Sequence, residues 1–136
     1  QEGFSLDIEN ISDIREIKNI SDINNYDYIR ESGHFINHKL AVYAQVITNK
    51  SVYQAYKNKL QNLNNNPIGP TWLFRDPSIT RSNFLYKLLS PSNNLYKSSI
   101  KHGMKSPVIA RESDFIKKEG NKILLNLKII EVFALF

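Results

Sequence analysis

The amino-acid sequence predicts an α+β domain: a single antiparallel β-sheet that carries a few helices. Three observations point there. Val108 to Lys117 and Lys122 to Leu135 are strand-like runs rich in branched apolar residues, joined by Glu119-Gly120-Asn121, which has the composition of a hairpin turn. Lys39 to Thr48 (KLAVYAQVIT) is apolar on both faces, as in a central strand covered on two sides. Two further stretches between the strands read as helices. At 136 residues the chain is long enough for one real hydrophobic core, so residues 1–136 form a single domain on this reading.

In chain order, Gln1 to Glu9 reads as the end of a strand, followed by an irregular segment with a helical turn. Ile11-Ser12-Asp13-Ile14 returns as Ile20-Ser21-Asp22-Ile23. In a chain this rich in Ile, Ser and Asp the echo is compositional rather than a structural repeat. Tyr26 to Ser32 alternates aromatic and charged residues, which favours a strand. Gly33-His34 to Asn37-His38 then reads as the turn that joins it to 39–48 in a hairpin. Ser51 is placed to cap a helix to about Leu63, with Val52, Tyr56, Leu60 and Leu63 along one side. Asn64-Asn65-Asn66-Pro67 ends it. After Gly69-Pro70, Trp72-Leu73-Phe74 and Asp76-Pro77, a second helix is predicted over Ser78 to Leu89. Ser90 to Ser106, rich in Ser, Asn, Lys and Pro, reads as a long loop with room for one helical turn.

Composition narrows the function. With 41% hydrophobic and 23% charged residues the chain is an ordinary globular protein, not a disordered one. The longest apolar run, around Ile129-Ile130, is interrupted by Lys128 and Glu131, so no membrane span is expected. There is no signal-peptide pattern, and a cytoplasmic location is expected. The opening at Gln1 rather than Met suggests that residues upstream have been removed or left out. The absence of cysteine excludes disulfides, thiolate nucleophiles and thiolate metal sites. His34 and His38 are four apart, a spacing that could hold a metal on a helix. Gly33 and Asn37 signal a turn instead, and no carboxylate follows at a suitable offset. Both are read as surface histidines, and no metal is expected. The net charge of +5 suits an anionic partner. Lys117-Lys118 is the only adjacent basic pair and there is no basic-aromatic ladder, which favours a small acid over nucleic acid.

Two charges break the strand patterns. Alternate residues share a face of a strand, so the last strand puts Ile123, Leu125, Leu127, Ile129, Glu131 and Phe133 on one side. The other side carries Asn126 and Lys128, so the first is read as the core face. Glu131 then continues an apolar row where an isolated carboxylate is expensive. Earlier, Tyr26, Tyr28 and Arg30 share a face, and an arginine beside two aromatics suits a binding wall where its fork can grip a carboxylate. Two readings stay open. On the structural one, Arg30 and Glu131 pair with each other or Glu131 sits at a solvated sheet end; on the functional one, the core face opens into a cavity. In the cavity Arg30 would hold a ligand carboxylate, and Glu131 would address a hydroxyl or accept a proton.

The sequence also resembles the chorismate pyruvate-lyase family, with its motifs in chain order. Gln1-Glu2-Gly3-Phe4 is similar to the Glu-Gly-Phe end of the family's first strand. Tyr26 to Glu31 (YDYIRE) resembles its Trp/Tyr-x-x-Arg-Glu strand. Pro67-Ile68-Gly69, Leu73-Phe74 and Ser78-Ile79-Thr80-Arg81 resemble its Pro-Leu-Gly, Leu-Phe and Thr-Arg segments. Arg111, Ser113 and Phe115 match its Arg-Arg-Ser-x-Phe run, with Glu112 in place of the second arginine. Lys122 to Phe133 resembles the Gly-Lys-x-Leu-Leu-x-x-Glu-x-Phe ending. Ala44-Gln45 and Thr48-Asn49 stand where the family has an arginine and a proline, and the family's N-terminal helix and strand are missing.

The resemblance implies a chorismate lyase-like fold and conversion of chorismate to 4-hydroxybenzoate and pyruvate, the entry to ubiquinone synthesis, without a cofactor. It places the carboxylate-binding arginine on Arg30 and the active-site glutamate on Glu131, the same two charges that strand parity isolates. Substrate contacts would extend to Gly69, Thr80 and Arg111. Residue chemistry leaves other roles open for these: a turn for Gly69, a helix cap for Thr80 and a solvated strand position for Arg111. Related folds serve as ligand-binding domains of transcription regulators. A non-catalytic domain for a ring carboxylate, or a homologue that keeps the fold only, is therefore the competing expectation. A monomer is favoured.

Overall fold

The computed structural model describes residues 6–17 and 26–135. The resemblance at Gln1 to Phe4 and the second half of the Ile-Ser-Asp-Ile echo lie outside them. Seven strands form one antiparallel sheet: β1 (Leu6–Glu16), β2 (Tyr28–Ile36), β3 (Lys39–Thr48), β4 (Thr80–Arg81), β5 (Leu85–Leu88), β6 (Pro107–Glu119) and β7 (Lys122–Ala134). Their order is β1-β2-β3-β7-β6-β4, and β5 also pairs with β6. The helices are α1 (Lys50–Ala55), α2 (Lys57–Gln61) and α3 (Asn94–Lys101), with a π-helical turn at Gly69–Leu73. No helix among the described residues is long and apolar enough to cross a membrane.

β3 spans the expected residues and sits at the centre, paired with β2 and β7. The β2–β3 turn is tighter than the glycine suggested. Gly33 to Ile36 continue the strand, and the chain reverses at Asn37 and His38, both with positive φ (48° and 67°). Two consecutive residues in that region are the geometry of a type I′ hairpin, whose twist matches that of the flanking strands. β6 and β7 pair over almost their whole length, with Gly120 supplying the positive φ (60°) of their turn. The first strand is longer than expected, because β1 runs through the segment read as irregular.

The helical expectations need more correction. Asn49, not Ser51, caps α1: its side-chain oxygen accepts from the Val52 N–H at 2.9 Å. The Ser51 hydroxyl donates to that same oxygen. The helix then breaks at Tyr56, whose φ of −119° is not helical. The helix predicted over Ser78 to Leu89 is absent; short strands β4 and β5 occupy its place and pair with β6. Conversely, the loop expected over 90–106 contains α3, capped by the Asn93 side chain on the Leu95 N–H at 2.8 Å. Its polar composition hides it, since the residue it buries is Ser99, whose hydroxyl returns to the Leu95 carbonyl.

Both faces of the sheet are covered. On one, Val52, Leu60, Leu63, Trp72 and Leu73 pack on Val46, Phe115, Leu125 and Leu127. On the other, Tyr43, Met104, Ala110 and Val132 form one cluster, and Ile29, Ile47 and Ile130 another. The side of β7 that carries Asn126 and Lys128 is therefore also a core face at its far end, where Ile130 and Val132 are buried. Covering both faces removes apolar surface from water at about 25 cal/mol per Å².

Candidate functional site

Strand alternation sends one row of side chains from each central strand towards the α1–α2 side. In β2 that row is Tyr28, Arg30, Ser32 and His34; in β3, Ala44 and Val46; in β7, Ile129 and Glu131; in β6, Arg111, Ser113 and Phe115. Beyond the apolar cluster, the row opens into a cavity of about 310 Å³ lined by Arg30, His34, Arg111, Ser113, Ile129 and Glu131 from these strands. The π-helical turn roofs it with Gly69 and Phe74. Arg81 and Phe84 close the side next to β6.

Arg30, Gly69, Arg111 and Glu131, all expected in the site, thus meet at one cavity. Thr80 does not line it. In β4, Arg81 lies opposite Phe115 and shares its face, whereas Thr80 lies opposite Ile116 and donates to that residue's carbonyl. The helix cap expected for Thr80 has no helix to serve.

Arg30 is 2% exposed, and its guanidinium donates to the carbonyls of Asn64 and Asn66, both at 3.0 Å. No carboxylate of the described residues forms an ion pair with it. Burial lowers its pKa, and the charge of Asp13 opposes that; arginine nonetheless stays charged at neutral pH. A fork with five donors keeps spare N–H groups after two such bonds. The expected Arg30–Glu131 pair is therefore not formed. Glu131 instead accepts from Arg111 Nε at 2.8 Å, so it is not the isolated carboxylate that the apolar row suggested. That bond, followed by opposing desolvation and then the charge of Glu131, raises the pKa of Arg111.

The remaining walls are aromatic and cationic. The Phe84 ring lies against two guanidiniums, with Arg81 at 4.1 Å and Arg111 at 4.4 Å from its centroid. Among the described lining residues, Arg30, Arg81 and Arg111 face the single carboxylate of Glu131. The cavity is therefore net positive. His34 adds a titratable group whose pKa burial pushes down against the charge of Glu131. The turn signalled by Gly33 puts His34 on the surface, but β2 runs on through both residues, and alternation from Arg30 through Ser32 brings His34 to this wall. His38 is exposed in the hairpin turn. No cluster of three or more potential metal ligands occurs among the described residues.

The single antiparallel sheet with a few helices is an α+β, chorismate lyase-like fold. No protein-family model matches the sequence, and no curated protein shows significant similarity to it. Among solved structures it is similar to the C-terminal domain of the histidine utilization repressor from Pseudomonas syringae pv. tomato str. DC3000. The TM-score is 0.52 at 7% identity, over 96% of this chain and 92% of that one. At that identity the likeness is one of fold.

Proposed function

We propose that this domain binds a small ring carboxylate in the Arg30 cavity and acts as a non-catalytic sensing domain. The observation that carries the proposal is Arg30 itself: a buried guanidinium that forms no ion pair with a carboxylate of the described residues, at the wall of a cationic cavity. A buried charge of this kind is costly unless something completes its solvation. A ligand carboxylate does so through charge-assisted hydrogen bonds. The aromatic and aliphatic walls of Phe74, Phe115 and Ile129 suit a ring, and the volume is at the small end of ligand pockets. The likeness to a repressor's C-terminal domain supports sensing over turnover.

The second reading is a chorismate lyase, and the shared cavity of Arg30 and Glu131 favours it, since the family resemblance assigns those positions to its carboxylate clamp and its glutamate. Arg30 would hold the ring carboxylate while Glu131 handles the proton released on aromatisation. Mixing the protein with chorismate and following 4-hydroxybenzoate, beside calorimetric titration with 4-hydroxybenzoate, separates the readings. Binding without product is expected. Product formation would establish the lyase, and absence of binding to either compound would overturn the site.

A further inference from the structure

The opposite face of the sheet carries a second cavity, of about 1120 Å³. Arg30 and Glu31 are consecutive in β2, so they point to opposite sides, and Glu31 enters this second space. Glu31 is 6% exposed and fully engaged. One carboxylate oxygen accepts from the Arg15 guanidinium at 2.8 Å and from the Ser12 hydroxyl at 3.2 Å. The other accepts from the Tyr43 hydroxyl and lies 3.0 Å from His102 Nε2. A carboxylate occupied in this way has little capacity left for a ligand. Its effect is to fix Arg15 and His102 at the cavity wall, and stacking of the His102 ring on Tyr43 adds to this.

Among the described residues Arg15 uses one donor on Glu31 and one on Ser12, out of the five its fork carries. α3 brings Lys97 and Lys101 to the same opening. Four apart on a helix, they share a face and repel each other. Neither forms an ion pair with a carboxylate of the described residues. Among the described lining residues Glu16 is the other acidic group, and the floor is apolar, with Ile29, Leu95 and Ile130.

We propose that this is a second ligand site, separate from the Arg30 cavity, for an organic anion with an apolar body. The charged group would lie among Arg15, Lys97, Lys101 and His102, and the body on the isoleucine floor. The test is a fluorescence titration of the full chain with anilinonaphthalene sulfonate. Saturable binding is expected, about ten-fold weaker in a Lys97→Gln/Lys101→Gln variant, as for the loss of about 1.4 kcal/mol. A charge-matched Lys57→Gln/Lys118→Gln variant should bind as the parent does. All four lysines are exposed, and thermal melts check that both variants fold. Equal weakening in the two variants, no weakening in the first, or no saturable binding by the parent would each overturn the site.

Discussion

Arg111 and Glu131 face each other across the β6–β7 pair, and Arg111 Nε donates to Glu131 Oε1 at 2.8 Å. This pair partly neutralises the charge of the cavity. Glu131→Gln removes the carboxylate and releases Arg111 for a ligand. On the binding reading, affinity for 4-hydroxybenzoate therefore stays level or rises a few-fold, in keeping with the roughly 0–1 kcal/mol that a partly exposed ion pair holds. On the lyase reading the same variant loses turnover of chorismate. Calorimetry and a product assay on one preparation distinguish them.

Arg30 has a structural and a binding consequence. Its guanidinium ties the carbonyls of Asn64 and Asn66, after α2, to the sheet. Arg30→Met should lower stability to urea by about 2 kcal/mol, the usual scale for stranding buried acceptors, and abolish measurable 4-hydroxybenzoate binding. Arg30→Lys keeps the charge without the fork, so it should recover part of the affinity and little of the stability. If Arg30→Met binds 4-hydroxybenzoate as the parent does, the carboxylate clamp is elsewhere.

These two residues were legible in the sequence, and their partners were not, for a physical reason. Strand parity needs only the correct strand, and 26–32 and 122–135 both read as strands. Pairing needs register. Counting back without interruption from Glu119↔Lys122 sets Arg111 opposite Ile130, on the wrong face. The irregularity between Lys117 and Lys118 shifts the ladder by one residue and brings Arg111 opposite Glu131. No local signal in the sequence marks that bulge. Arg81 and Phe84 were hidden by the helix predicted over 78–89, where pairing to β6 overrides local preference. α3 was hidden because it buries a serine rather than an apolar stripe.

Glu31 makes stability sensitive to acid. Burial, the largest single influence, raises its pKa. Hydrogen bonds from Tyr43 and Arg15, with the charges of Arg15 and His102, outweigh burial, and the net shift is downward from 4.5. The unfolded chain then binds the proton more readily than the folded one, so this stabilisation is complete above about pH 4.5 and is lost as pH falls through the lower folded value. Urea midpoints measured from neutral pH downward should fall in that window. A Glu31→Gln variant should be less stable at neutral pH and show a flatter decline. An unchanged decline would show that other carboxylates carry it.

Gly69 is needed for close approach, not for a turn. Its φ is outside the left-handed region, and it opens the π-helical turn in which the Phe74 N–H returns to the Gly69 carbonyl at 2.9 Å. That closure folds the Phe74 ring over the Gly69 Cα, where an added Cβ would meet ring carbons, one of them at 2.6 Å. Phe74 is 65% exposed, so its ring can swing away at little cost. Gly69→Ala should therefore change urea stability by less than about 1 kcal/mol, helped by the reduced entropy of the unfolded chain. The displaced ring no longer closes the cavity, and 4-hydroxybenzoate affinity should drop a few-fold. Loss of stability with affinity intact would mean that Phe74 supports the fold and is not a wall of the binding site.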